Sequence, residues 1–498
     1  MGRKKKLLLN TVSGISLQIT TVICGFILPR YTLSYFGSSV NGLVNSITKF
    51  LSLITLLDMG VGAVIQSALY KPLAKKDNEQ ISKIIKSAKK FFRRLAYIFI
   101  GYIAVLCFVF PTVINSEYEP WFSASLLVII AISNLAQYLF GITNELLLNA
   151  DQKTYIQTSL QICTIMLNTV LAVVLMKNGA SIHTVKLASA SVFVLRPLFQ
   201  SIYVSKKYKL NKSIEITEEP IKQKWNGFAQ HMATVVYEYA DIAALTMFST
   251  LKNVSVYSVY NLVVFGVRML IMTAINGLES LFGNMFANKE TKKLNRAFNT
   301  FEFAIHTVVT IVFTTAGLAL VPFILIYTKN VTDTNYENCM LATIMCLAYA
   351  CGCLKLPYNT IIKAAGHFKQ TQNGAFIAAG LTVVTTVICV LKFGLAGAAV
   401  GTLVGMFFHT CYFVWYLRKN ILKRSAKFFV KYCILDILCA AASVFATKKL
   451  VTFSNSNYLS WGFCALKTSL IVTAATALIS LIFNGKQIKE LVRPAKTN

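Results

Sequence analysis

Residues 301–327 read FEFAIHTVVTIVFTTAGLALVPFILIY, a run in which Glu302 carries the only formal charge. At about 1.5 Å per residue, a helix of this length crosses the roughly 30 Å hydrocarbon core of a bilayer. Similar runs recur along the chain. They fall near 8–30, 41–69, 95–114, 121–148, 155–176, 182–205, 226–250, 254–287, 338–364, 372–391, 394–417, 428–447 and 458–483. The fold class that follows is an all-α integral membrane protein with about 14 transmembrane helices. Composition agrees: 55% of the 498 residues are hydrophobic and 14% are charged, against about 25% charged in soluble domains. A mean hydropathy of +0.60 excludes a soluble enzyme, a disordered chain and a small disulfide scaffold. The connections average roughly a dozen residues once spans of typical length are removed, so no extramembrane domain is expected.

The first run follows Arg3-Lys4-Lys5-Lys6 but lacks a small-residue cleavage site, and it continues through Pro29 and Arg30. It reads as a retained helix rather than a signal peptide. The net charge of +30 is a matter of topology, not of nucleic-acid binding. With the N-terminus in the cytoplasm and alternating spans, about 36 of the 49 basic residues fall inside and about eight outside. Both termini are therefore expected in the cytoplasm. The twelve cysteines include no CxxC pair, and most lie in apolar runs. Neither a metal site nor a structural disulfide is expected.

Offset by about 214 residues, the chain matches itself. Ala74-Lys75-Lys76-Asp77-Asn78 falls on Ala287-Asn288-Lys289-Glu290-Thr291, Pro111 near Pro322, Asn144 on Asn359 and Gly179 on Gly394. The repeat unit is six spans. Six is even, so the two copies keep one orientation and form parallel repeats; transporters built this way hold substrate between the halves. The expected domains are a six-helix bundle over 1–205, a cytoplasmic linker over 206–225 and a second six-helix bundle over 226–418. Two C-terminal helices follow over 419–483, then a basic tail over 484–498.

A charge at mid-bilayer costs about 2.5–3.5 kcal/mol on insertion scales, so it faces a partner or a cavity. By depth, Arg196, Arg268, Lys49 and Lys355 form a set of cations suited to an anion, with Arg30 at a span end. Asn144 and Asn359 occupy matching places in the two copies beside Glu145 and Lys355. His231, Glu238 and Asp241 share a face of span seven, and Asn261, Arg268 and Glu279 share one of span eight, at about 100° per residue. Two such faces predict an ion-paired polar seam, acting either in packing or as a gate. Lys49 and Asp58 lie on opposite sides of a straight helix, unless Gly60 and Gly62 bend it. His306 and His409 read as hydrogen-bonded packing residues rather than ligands. No Walker loop, GxSxG elbow or HExxH helix is present.

The stretch Ile27-Leu28-Pro29-Arg30, then Tyr35-Phe36-Gly37, Val40-Asn41-Gly42-Leu43 and Leu56-Leu57-Asp58-Met59-Gly60-Val61-Gly62, resembles the Wzx-type polysaccharide-repeat flippases of Gram-positive bacteria. Ala68-Leu69-Tyr70-Lys71-Pro72-Leu73-Ala74 continues the resemblance, and Tyr239-Ala240-Asp241 resembles the family's polar motif in span seven, where Thr-Asp is more usual. These flippases are part of the multidrug/oligosaccharidyl-lipid/polysaccharide (MOP) exporter superfamily. The resemblance implies two MATE-like lobes plus two helices, in the bacterial plasma membrane, working by alternating access. It implies translocation of a polyprenyl-diphosphate-linked oligosaccharide from the inner to the outer leaflet, for capsule, exopolysaccharide or cell-wall polysaccharide. The partners it implies are membrane lipids, a polysaccharide polymerase and glycosyltransferases, with no nucleic acid.

On that reading Arg196, Arg268, Lys49 and Lys355, with Arg30, Asn144 and Asn359, bind the substrate. Asp241, Glu238, Asp58, Glu145 and Glu279 are the candidates for a gate or a coupling Na+ or H+; no other cofactor is expected. Two alternatives share the fold. A lipid II flippase differs only in the head group. A cation-coupled multidrug antiporter should have an acid-dominated site, whereas cations are at least as prominent here. An enzyme is disfavoured because the outside loops are only about ten residues long, too short to house a catalytic site.

Overall fold

The computed structural model describes residues 3–58, 61–114, 118–211, 214, 228–275, 278–422, 424–453 and 457–492. The side chains of 3–4, 56–58, 228–234, 236–238, 280, 368 and 486–492 lie outside that description. The described residues are helical with short connections. The helices are α1 (Arg3–Ser52), α2 (Val61–Lys75), α3 (Asn78–Val113), α4 (Pro120–Ala136), α5 (Ile142–Ala150), α6 (Thr154–Lys177) and α7 (Ile182–Lys207). They continue as α8 (Phe228–Phe248), α9 (Leu251–Ile275), α10 (Leu278–Ala287), α11 (Thr291–Tyr327), α12 (Cys339–Leu354) and α13 (Leu356–Ala364). The last four are α14 (Phe368–Phe393), α15 (Leu395–Asn420), α16 (Lys427–Leu450) and α17 (Tyr458–Val492). A 3-10 turn (Leu53–Asp58) follows α1, and a π turn (Gln137–Gly141) joins α4 to α5.

Twelve of these segments are long and apolar enough to cross a membrane, so the chain is a multi-pass membrane protein. The first of them, Lys5–Thr55, is 51 residues long, more than twice what one crossing needs. Gly37 interrupts it with φ 79° and ψ 177°, a conformation that a Cβ would strain. Counting both sides of this break, together with α8, recovers fourteen spans.

The chain divides into two compact units, Met1–Val235 with Thr246–Ser255, and Val236–Leu245 with Val256–Asn498. In the first, residues 246–255 fit because Gly42 has no Cβ. A Cβ there would sit 1.8 Å from the Leu251 carbonyl oxygen. Asn41 Nδ2 donates to Ser255 Oγ at 2.8 Å beside it.

The duplication reaches into backbone detail. The left-handed residues Lys76, Gln152 and Gly179 of the first copy recur as Lys289, Gly366 and Gly394 in the second, each at the offset found in the sequence. In both copies span three is extended: α3 and α11 are 36 and 37 residues long. Lys83 to Arg94, which the sequence reading assigned to a connection, are therefore part of a helix that projects from the bilayer, capped by Asp77.

Each unit exposes apolar side chains, such as Phe108 and Ile482, and buries hydroxyls. This suits a chain whose solvent is hydrocarbon. In such a solvent small residues allow backbones to approach. Gly397 and Gly401 do this for the α14–α15 hairpin. A Cβ on Gly401 would lie 2.5 Å from Thr386 Cα, and one on Gly397 would lie 2.0 Å from the Cys389 carbonyl oxygen. Backbone atoms cannot rotate away. We therefore expect Gly401→Val to separate the two helices at a cost of at least about 2–3 kcal/mol. It should cut the monodisperse fraction in detergent, while the same change at Gly380, where a Cβ meets nothing within 4 Å, leaves it unaltered.

A polar staple holds the start of α1 against the α5–α6 turn. Lys6 Nζ donates to the Asp151 carbonyl at 2.8 Å, and Asn10 Oδ1 accepts from Tyr155 N at 2.8 Å. Asp151 also pairs with Lys153 (2.7 Å) and accepts from Tyr208 Oη (2.6 Å). Burial works against ionising Asp151. The hydrogen bonds from Lys153 and Tyr208, and the charges of Lys153 and Lys6, outweigh burial and hold its carboxyl below the usual range. Burial and then the Asp151 carboxylate push the Tyr208 hydroxyl well above its ordinary value, so it stays a donor.

A depressed carboxyl stabilises the fold above its unfolded pKa of about 4 and ceases to do so as pH falls through its folded value. Asp151→Asn is expected to cost on the order of 2 kcal/mol at neutral pH. In thermal unfolding across pH, the gap from the natural protein should persist down to about pH 4 and close below it.

Candidate functional site

Each unit holds its own set of intramembrane charges. In the first, span four is not one straight helix. The π turn at Gln137–Gly141 inserts an extra residue between α4 and α5, a feature common at functional positions. The Gln137 side chain folds back over Gly141, where a Cβ would lie 2.2 Å from Gln137 Oε1. This sends Gln137 Nε2 to Glu145 Oε2 at 3.0 Å. From α6, Gln157 Nε2 donates to Glu145 Oε1 at 3.1 Å and to Gln161 Oε1 at 3.2 Å. Arg196 on α7 lies within electrostatic reach of Glu145. Among the described residues its buried Nε has no hydrogen-bond partner. One turn on, Gln200 is fully buried, and both its amide atoms likewise lack a partner among the described residues.

The site residues predicted from sequence are thus brought together in part. Arg196 and Glu145 meet. Asn144 is buried, and its Nδ2 donates to the Phe140 carbonyl at 2.8 Å. Lys49 stands half-buried in the last turn of α1. Arg30 is exposed and lies within α1, which runs past Pro29 to Gly37. The glutamines were missed. Their signal was the i, i+4 spacing of Gln157 with Gln161 and of Arg196 with Gln200.

In the second unit, Asp241 is buried and accepts from Tyr257 Oη at 2.7 Å and from Ile242 N at 2.7 Å. Tyrosine and backbone donors are among the groups that face it. Arg268 lies over the rings of Tyr349 (5.8 Å) and Phe265 (5.9 Å), and Tyr349 Oη donates to Asn261 Oδ1 at 2.5 Å. Asn261 and Arg268 are therefore bridged by one aromatic ring.

Glu279 lies in the first turn of α10 and is exposed; residues 276–277, between α9 and α10, lie outside the description. The side chains of Asp58 and Glu238, like that of His231, lie outside the described residues.

Lys355 sits at the break between α12 and α13, where Pro357 starts the new helix. Its Nζ is 3.2 Å from His409 Nδ1 and 5.8 Å from the Phe413 ring centre. Both Lys355 and Arg268 are within electrostatic reach of the buried Cys353, so these two cations share a region. Asn359 is half-buried one turn along, its N–H donating to the Lys355 carbonyl at 3.0 Å.

The second unit also carries an open groove of about 550 Å3 along one face of α16, walled by Ile434, Leu435 and Leu438 with Phe483 of α17 at its edge. Lys427 and Lys431 stand at one end, Lys431 Nζ donating to the Phe483 carbonyl and Asn484 Oδ1 at 3.1 and 2.7 Å. Chemically, the unit offers cations for an anion and an apolar trough for a chain.

No protein-family model matches the sequence, and no curated protein does. Solved structures match in fold. A lipid II flippase MurJ in an inward closed conformation superposes with TM-score 0.74 at 15% identity, covering 98% of this chain and 100% of that one. An inward-facing multidrug resistance MATE family transporter of the MOP superfamily gives 0.62 at 14% identity, covering 83% of this chain and 99% of that one. An outward-facing MATE transporter gives 0.55 at 15% identity, covering 85% and 100%. The share left over in the MATE matches is about the length of α16, α17 and the tail, whereas the MurJ match takes in nearly the whole chain. The chain therefore has the fold shared by MurJ and the MATE transporters, with its full helix complement matched in the former.

Proposed function

We propose that this protein flips a polyprenyl-diphosphate-linked oligosaccharide from the inner to the outer leaflet of the bacterial plasma membrane, by alternating access and with both termini in the cytoplasm. The observation that carries this reading is the groove along α16, an apolar trough with Lys427 and Lys431 at its end. A long isoprenoid needs such a trough, and its diphosphate needs cations close by. Arg196 in the first unit, and Arg268 and Lys355 in the second, supply positive charge at membrane depth for the head group. Glu145 pairs with Arg196 in the empty state and releases it to the diphosphate. Asp241, already ringed by donors, is the proposed place for a coupling Na+ or H+. Polysaccharide polymerase and glycosyltransferases are the proposed partners.

Two other readings are distinguished by one experiment. The extent of the MurJ match favours lipid II as the alternative substrate; a multidrug antiporter is the other. The gene is deleted, and surface polysaccharide, lipid-linked intermediates and dye sensitivity are assayed together. Loss of polysaccharide with intermediates held on the inner leaflet is the expected result. Accumulated lipid II with arrested wall growth would replace the substrate, and unchanged polysaccharide with new sensitivity to cationic dyes would replace the function.

A further inference from the structure

Beside the groove, α11 and α16 are joined by side chains that the transport reading does not use. His306 on α11 is 2% exposed, and its ring packs against Phe429 and Tyr432 at 5.6 and 5.2 Å between centres. Its Nδ1 is 2.5 Å from Asp436 Oδ2 on α16. The other carboxylate oxygen of Asp436 accepts from Thr310 Oγ1 at 2.8 Å. Cys433, one turn before Asp436, completes the group: the imidazole nitrogen, the thiol sulfur and the carboxylate oxygen all lie within 4.8 Å of one another. Cys351 of α12 and Cys411 of α15 are also within electrostatic reach of Cys433.

We propose that His306, Cys433 and Asp436 bind a divalent d-block cation of the zinc class. Nitrogen, sulfur and oxygen together suit zinc rather than magnesium or calcium, which take oxygen alone. Charge points the same way. A divalent cation with one thiolate, one carboxylate and a neutral imidazole sums to zero, and zero net charge is what a hydrocarbon-embedded site favours. Binding releases the Cys433 thiol proton to solvent, and the metal replaces the proton that His306 Nδ1 shares with Asp436 Oδ2; the neutral imidazole then carries its one proton on Nε2. That nitrogen is buried and has no partner among the described residues. Thr310 is already placed as the outer donor that orients a ligating carboxylate. The ion clamps α16, one wall of the groove, to the long α11.

The test uses the full-length protein in detergent, stripped with chelator and titrated with Cd2+ alone. The expected result is an ultraviolet thiolate-to-cadmium charge-transfer band saturating at one equivalent. Cys433→Ser removes the band. His306→Ala and Asp436→Asn weaken binding, and Thr310→Val, which keeps the packing volume, weakens it about tenfold. Cys464→Ser, at a thiol outside the group, leaves the titration unchanged. No saturable band in the natural protein overturns the proposal. So does a band that survives Cys433→Ser, whether it then follows Cys351→Ser, Cys411→Ser or neither. The natural-protein titration decides the matter even if a variant fails to fold.

Discussion

Alanine at Arg196, and separately at Arg268, is expected to abolish surface polysaccharide while leaving the amount of membrane-inserted protein near normal. Arg196 faces Glu145, which keeps its amide donors Gln137 and Gln157 when the guanidinium is removed. Arg268 lies over the rings of Phe265 and Tyr349, and Tyr349 keeps its hydrogen bond to Asn261 when the guanidinium is removed. What each would lose is a charge-assisted contact to the diphosphate, about 1.5–3 kcal/mol, or roughly 10- to 100-fold in affinity.

Lysine at either position keeps the charge but not the planar fork, so intermediate export is expected there. The measurement is surface polysaccharide against protein level for the four variants. Normal export in both alanine variants would remove the arginines from the site. Export lost together with the protein would make them structural.

The second large effect is on stability. Glu302, fully buried on α11, accepts from Tyr358 of α13 and pairs with Arg424 from the α15–α16 connection. Arg424 in turn packs on the rings of Phe298 (5.4 Å) and Phe428 (4.5 Å). Removing one member of a buried pair leaves the other desolvated and uncompensated, at about 3–5 kcal/mol. We expect Arg424→Ala to lower the unfolding temperature more than any single change at an exposed basic residue such as Arg418. Glu302→Gln combined with Arg424→Met, which removes both charges and keeps the volume, should recover most of the loss. If Arg424→Ala unfolds like the natural protein, the pair contributes nothing. If the double change is as damaging as the single one, packing rather than charge holds this corner.

Neither Glu302 nor Arg424 was a site candidate from sequence. Glu302 is simply the first acid of an apolar run, and its partners lie 56 and 122 residues away. The same holds for the His306–Asp436 contact, 130 residues apart. The sequence offered no reason to expect a metal there, because spacing rules see only ligands that are close along the chain.

The span positions, the six-plus-six-plus-two order and the duplication were legible because each depends on one segment at a time. Transfer of about twenty apolar residues into lipid outweighs every local preference. A copied segment also keeps its turn residues, as the left-handed positions at 76 and 289 show. Arg196, Arg268 and Lys355 stood out in sequence as charges within apolar runs for the same reason.

What each charge faces was decided only in three dimensions. Straight-helix angles put Glu279 with Arg268, and the match between the two copies singled out Asn144. In the structure Glu279 is exposed, and Asn144 Nδ2 donates to the Phe140 carbonyl beside a π turn. Hydropathy is a property of single residues against the bilayer. Partnership is a property of pairs, and the pairs here depend on where the chain bends, as at α4–α5 and α12–α13.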